Sequence, residues 1–221
     1  MKLDVNRDIM AINNECAARN RQLFRDKGVL TLNLIGSPGA GKTMLLERLL
    51  ETMADCRIAV IEGDLATARD ASRIAAKGAR VTQINTDGGC HLDAAMIQRV
   101  LPLFDLDALD LLIIENVGNL VCPTGFDLGE DLRLVLLSVA EGGDKPVKYP
   151  ATFISADAVV LNKLDLLELT DVDLAGVRAD LNWLKPGLKI FETVCRPGKE
   201  QGLSALAAWL WELAAAKRGR S

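Results

Sequence analysis

Residues 36–43 read Gly36-Ser37-Pro38-Gly39-Ala40-Gly41-Lys42-Thr43, a complete G-x-x-x-x-G-K-[ST] run. It narrows the fold more than any other feature, because it works in one setting: a strand, a glycine-rich loop, then a helix. The glycines let the backbone curl until several N–H groups point at one anion. Lys42 then reaches β- and γ-phosphates, and the Thr43 hydroxyl is placed to ligate Mg²⁺. Both flanks comply, since 29–35 is a strand-like apolar run and 44–50 is helix-forming. Bound phosphates would sit on a helix N-terminus, where the dipole favours negative charge.

The rest of the chain alternates in the same sense. Residues 4–27 read as an amphipathic helix with Ile9, Ile12, Cys16, Leu23 and Phe24 tending to one side, ended by Gly28. Strands are expected at 29–35, 57–62, 81–85, 111–115, 132–139, 158–162 and 188–193. Helices are expected at 43–54, 66–77, 92–100, 171–182 and 202–216. Several strands are continuous apolar runs, as in a sheet buried on both faces. This predicts an α/β fold, a P-loop NTPase three-layer sandwich with a mostly parallel sheet. An N-terminal helix, 1–28, packs on the core, and 29–221 form the nucleotide-binding domain. The Gly and Pro residues at 142–146 and 149–150 mark an exposed or mobile loop.

A chain of 221 residues, 49% hydrophobic and 25% charged, suits one soluble domain with a single core. A net charge of -4 argues against a nucleic-acid partner, because phosphate neutralisation needs a basic face. The basic run 217–220 reads as a solvated tail. No run approaches the roughly 18 apolar residues of a membrane span. Asp4, Arg7 and Asp8 interrupt any signal-peptide core. The expected location is the cytoplasm, where five cysteines serve as free thiols or metal ligands.

Asn162-Lys163-Leu164-Asp165 ends a late strand with Asn-Lys-x-Asp. The Asp165 carboxylate can accept from both guanine N1–H and the exocyclic amine. Adenine offers an acceptor at N1 and lacks that amine. The Lys163 stem can cover the base and Asn162 can brace the loop. The pattern points to GTP and GDP; an adenine-nucleotide kinase sharing the same phosphate loop stands as a further reading.

Asp64 and Glu115 each close an apolar run. Ligands of open α/β sheets bind at the carboxyl ends of strands, so both acids can order Mg²⁺, directly or through water. With Lys42 they form the candidate catalytic set, and Asp64 could also orient the attacking water. Asp70 reads equally well as a surface acid. Gly118 permits its backbone N–H to approach a γ-phosphate, a contact present before hydrolysis and absent after it. The segment that carries it is a natural switch.

The one histidine lies in Gly88-Gly89-Cys90-His91-Leu92, and Cys122 sits in a second turn, four residues after Gly118. Thiolates and imidazole suit Zn²⁺, Ni²⁺ or copper, not Mg²⁺. Cys90, His91 and Cys122 are one ligand short of a closed tetrahedral site. The site stays open, or two chains share it across a two-fold axis, or the thiols are structural and unrelated. Cys56 reads as a buried strand residue and Cys195 as a turn residue near the base end.

Together the phosphate loop, Glu62-Gly63-Asp64, Gly89-Cys90-His91-Leu92-Asp93, Glu115-Asn116-Val117-Gly118-Asn119-Leu120-Val121-Cys122-Pro123 and Asn162-Lys163-Leu164-Asp165 resemble the HypB family of [NiFe] hydrogenase nickel-incorporation GTPases. The resemblance runs over nearly the whole chain. It implies GTP hydrolysis, a homodimer formed with GTP, and nickel or zinc held between subunits by Cys90, His91 and Cys122. It also implies a HypA-type nickel chaperone and the hydrogenase large subunit as partners. Two departures stand out. The histidine-rich or cysteine-rich N-terminal nickel motifs of many members are missing, so nickel storage is not expected. The base-end Ser-Ala-Lys-like loop is replaced by Val194-Cys195-Arg196-Pro197-Gly198-Lys199. The competing reading is a nucleotide-dependent metal store or scaffold with little turnover.

Overall fold

The computed structural model describes residues 5–64 and 69–219, with side chains for 9–63 and 70–219. In chain order the elements are α1 Val5–Asp26, β1 Leu30–Gly36, α2 Lys42–Thr52, β2 Ile58–Asp64, α3 Arg69–Ala75, β3 Arg80–Asn85 and α4 Ala94–Val100. There follow β4 Leu111–Glu115, β5 Leu132–Ser138, α5 Lys145–Lys148, α6 Pro150–Ser155, β6 Ala158–Asn162, α7 Leu174–Leu184, β7 Lys189–Thr193 and α8 Leu203–Arg218. The seven strands form one sheet in the order β3-β2-β4-β1-β5-β6-β7, and every pairing in it is parallel. Among the described residues no helix is long and apolar enough to cross a membrane.

Strands β1, β4 and β6 are buried along their whole length, which is why they read as unbroken apolar runs. The pleat still sorts them. Leu30, Leu32 and Leu34 of β1 pack with Leu45, Leu49, Leu206 and Leu210 of α2 and α8 on one face. On the other, Ile61 and Ile114 meet Phe24 of α1 and Ile97 of α4, while Val159 and Leu161 meet Phe153 of α6 and Leu181 of α7. The result is the expected three-layer sandwich. Each fully buried Leu or Phe contributes on the order of 1.5–3 kcal/mol. The order of connections sets the site: the chain leaves β1 towards β2 on one side, and β4 leads to β5 on the other. Such a switch point opens a crevice at the carboxyl end of β1.

The buried face of α1 differs in part from the sequence expectation. Cys16 and Phe24 are buried as expected, but Ile9 and Ile12 are exposed, and Asn13, Ala17 and Asn20 are buried in addition. The amides face inward because they have partners there. Asn13 Oδ1 accepts from the Ala94 N–H, and Asn20 Nδ2 donates to the carbonyls of Ala94 and Leu128. Hydrophobic periodicity cannot see a buried polar seam. Gly28 does end this helix, with φ of 62°.

Several boundaries move by a few residues. Asp93 accepts from the Met96 N–H and so starts α4 at Ala94, and Asp173 caps α7 in the same way. Ser138 ends β5 by capping a 3₁₀ turn with Glu141. The expected helix at 66–77 is described only from Arg69. Cys56 is buried but precedes β2. Of the expected loop, 142–144 and Tyr149 are non-helical, whereas Lys145 and Pro146 open the short helix α5 and Pro150 opens α6. Pro150 sits in the first turn of α6, where its missing N–H costs nothing, and Phe153 is fully buried beneath it.

Candidate functional site

Strand β1 delivers the chain at Gly36 and α2 begins at Lys42, so the glycine-rich loop spans the end of the sheet. Gly41 precedes the helix with φ of 102°, and a Cβ there would lie 2.7 Å from Asn162 Nδ2. Both facts demand glycine. Lys42 is buried along the loop, its Nζ donating to the carbonyls of Gly36 and Ser37 at 3.2 and 3.4 Å.

The loop floors a cleft of about 630 Å³. At its phosphate end Thr43 Oγ1 donates to Glu115 Oε1 at 3.2 Å. Glu62, at the end of β2, also lines the cleft and is buried. Hydroxyl and carboxylate oxygens side by side are the donor set that suits Mg²⁺. The side chain of Asp64, the other expected acid, lies outside the described residues. Asp70 faces the cleft and pairs with Arg73 at 3.1 Å, while Arg73 also holds the buried Glu47 through two bonds of 3.0 and 2.9 Å.

At the base end, Asn162 closes β6 and binds inward. Its Nδ2 donates to the Ala40 carbonyl at 3.0 Å, and its Oδ1 accepts from Thr193 Oγ1 at 3.0 Å and from the Cys195 thiol at 3.3 Å. Lys163 adopts a left-handed conformation, φ 61°, and its Nζ donates to the Gly39 carbonyl at 2.6 Å. The Asn-Lys pair thereby ties β6 to the phosphate loop across the sheet. Asp165 lines the cleft, with an Arg196 guanidinium nitrogen 4.0 Å from its carboxylate. Burial pushes the Cys195 thiol up to about 11, so it stays a neutral donor.

Segment 115–122 runs from the phosphate end to the thiols. Gly118 packs on Pro38 so tightly that a Cβ would meet its Cγ, Cα and N at 3.0–3.1 Å. The Asn119 N–H donates to the Gly36 carbonyl at 3.1 Å. The Asn119 side chain then accepts from the N–H groups of Val121 and Cys122. Cys122 is thus positioned two bonds away from the start of the phosphate loop.

The fold brings Cys90 to His91, with Sγ 3.5 Å from His91 Nδ1. The influence of the Cys122 side chain, ahead of burial, raises the Cys90 thiol above its ordinary range. The His91 ring stacks on Phe126 with centroids 3.8 Å apart, and burial lowers its pKa. Among the described residues no three His, Cys, Asp or Glu side chains converge closely enough within one chain to hold a metal. Cys56 and Cys195 are buried and remote from this trio.

Sequence reading missed four polar residues. Arg73 and Arg196 line the cleft. Asn33 and Asn116 form a buried pair, Asn116 Nδ2 donating to Asn33 Oδ1 at 3.2 Å. Asn33 had a usable signal, an amide inside the otherwise apolar run of β1. Arg196 lay in the base-end loop 194–199 already marked as a departure, whereas Arg73 had no signal, since a charged residue on a helix usually faces solvent.

The family described as CobW/HypB/UreG, nucleotide-binding domain, matches residues 30–192. Hydrogenase maturation factor HypB of Rhizobium leguminosarum bv. viciae is 46% identical over 217 residues, 98% of this chain and 72% of that protein. HypB of Escherichia coli (strain K12) is 45% identical over 209 residues, 94% of this chain and 71% of its own. The structure of HypB from Helicobacter pylori in complex with nickel superimposes with a TM-score of 0.87 at 40% identity, covering 93% of this chain and 96% of that one. HypB from Archaeoglobus fulgidus gives 0.85 at 38% identity, covering 92% and 99%. A P-loop cleft with these neighbours, matched over nearly the full length, places the chain in the HypB family of hydrogenase maturation factors.

Proposed function

We propose that this chain binds and hydrolyses GTP, and uses the nucleotide state to govern a nickel or zinc site while assisting nickel insertion into [NiFe] hydrogenase. The observation that carries the reading is the course of segment 115–122. It begins at the carboxylate that holds Thr43, packs Gly118 on Pro38 of the phosphate loop, and ends at Cys122, whose backbone N–H is held by Asn119. A γ-phosphate arriving beside Gly118 would act on the same eight residues that place Cys122.

The proposed roles follow from position. Residues 36–43 wrap the phosphates, with Lys42 neutralising the β- and γ-groups. Asp165 reads the guanine edge, and Asn162 and Lys163 hold the loop beneath it. Thr43, Glu115 and Asp64 would hold Mg²⁺, which offsets charge on the phosphates when bound. With Lys42, the two acids make up the proposed catalytic set. Cys90, His91 and Cys122 do not close a site alone, which favours a homodimer in which two such sets meet across a two-fold axis. The nickel complex of the Helicobacter pylori relative supports nickel as cargo. The partners are those of the maturation machinery, a HypA-type chaperone and the hydrogenase large subunit. The net charge of -4 argues against a nucleic-acid partner, and the proposed place of action is the cytoplasm.

The test is nickel affinity by equilibrium dialysis with GDP and with a non-hydrolysable GTP analogue, alongside gel filtration in each state. Unequal affinities and a larger species with the analogue are expected; equal affinities would end the coupling. Single-turnover GTP hydrolysis, lost in Lys42→Ala, separates this reading from a metal store with little turnover.

A further inference from the structure

The Asn116 side chain joins two loops that sequence keeps apart. Its Oδ1 accepts from the backbone N–H of Leu92 and from that of Val117, each at 3.0 Å. Leu92 directly follows Cys90-His91, and Val117 directly precedes Gly118. The amide end donates to Asn33 Oδ1 on β1, and Asn33 in turn donates to Glu130 at 3.1 Å. Arg133 holds Glu130 from the next strand. Asn116 is 1% exposed and Asn33 is fully buried, so water does not compete for these bonds.

We propose that Asn116 is a positioning residue that couples the Cys90-His91 loop to the nucleotide, by holding the Leu92 and Val117 amides on one oxygen. The inference rests on the reading that nucleotide and metal are coupled, and it names a second arm of that coupling beside the one ending at Cys122. The chemistry calls for an amide. The oxygen serves two N–H donors from different loops, and the nitrogen anchors the group to the central strand. The far side of the Cys-His loop is fixed separately, since Asn13 and Asn20 of α1 hold both backbone groups of Ala94. Cys90 and His91 therefore stand just ahead of an anchored α4, tethered to the switch by the Leu92 N–H. When the Gly118 peptide turns towards a γ-phosphate, the neighbouring Asn116 turns with it, and the tether either carries Leu92 along or lets it go. Either outcome changes how Cys90 and His91 present themselves.

The test compares nickel affinity, by competition with a chromogenic chelator, in the GDP and GTP-analogue states of the full chain. The wild type is expected to show a ratio of at least about fivefold between the states, the low end of ordinary coupling. Asn116→Ala, and Asn116→Ser whose hydroxyl is too short to reach Leu92, are expected to bring the ratio within about twofold of unity while GDP still binds. Asn33→Ala loosens the same buried cluster but leaves both Asn116 acceptor bonds, so it is expected to lower the melting temperature and keep the ratio. A wild-type ratio of one defeats the nucleotide–metal reading itself. A clear wild-type ratio that survives in either folded Asn116 variant, or that Asn33→Ala abolishes equally, overturns the positioning role alone.

Discussion

Thr43 Oγ1 donates to Glu115 Oε1 at 3.2 Å, joining the first turn of α2 to the end of β4 across 72 residues of chain. The contact brings the hydroxyl of the phosphate loop and a buried carboxylate to one point. If they share Mg²⁺, Glu115→Gln keeps the shape and removes the charge. Mg²⁺ affinity of the guanine-nucleotide complex is expected to fall at least about tenfold, or ~1.4 kcal/mol, as for loss of a charged partner. A Mg²⁺ titration with a fluorescent guanine nucleotide reads this; an unchanged midpoint would remove Glu115 from the ion.

Asp165 is the residue proposed to read the base. Asp165→Asn replaces one acceptor oxygen with a donor facing donors on guanine. GTP binding is expected to weaken by about 10–100-fold, 1–3 kcal/mol, with little change for ATP. Competition between the two nucleotides measures it, and a retained preference for GTP would mean that another group reads the base.

Phe153 tests the packing of the short helix α6. It is fully buried, whereas Val147 of the neighbouring α5 is exposed. Phe153→Ala is expected to cost about 3–5 kcal/mol in urea denaturation, and Val147→Ala no more than ~0.5 kcal/mol. Two equally small effects would return the segment to a loop.

Arg21 and Asp127 make the hold of α1 on the core sensitive to acid. Burial alone would raise the Asp127 carboxyl, but hydrogen bonds from Arg21 and the Gly129 N–H, with the guanidinium charge, hold it below the ordinary range. A depressed folded pKa stabilises the protein above the unfolded value, near 3.9, and that share is lost as pH falls through the lower folded value. The two side chains are about two-fifths exposed, so the effect is modest. Urea midpoints from pH 7 down to 3 should therefore fall more steeply for the wild type than for Arg21→Gln. Parallel curves would show that the pair does not feel the fold.

What could be read directly from residue order was whatever depends on neighbours in the chain. The phosphate loop, the Asn-Lys-x-Asp turn and the seven strands are local patterns, and each lies where its spacing requires. The limits of that reading are physical too. Ile9 and Ile12 were expected inside because periodicity counts apolar residues. The buried face of α1 is instead chosen by Asn13 and Asn20, whose partners lie 81 and 74 residues away. Phe153 was hidden for the converse reason, since Pro150 just before it signals a turn whether or not a helix follows.

The phosphate loop and the α/β architecture were legible in the sequence, because glycines, a lysine and a strand–loop–helix order act over a dozen residues. The arrangement of the site was settled by folding. Asn162 reaches Ala40 over 122 residues, and Asn116 reaches Leu92 over 24. These meetings depend on which strands the sheet places side by side. That order is set by the burial of both its faces at once, a property of the whole core and of no single segment.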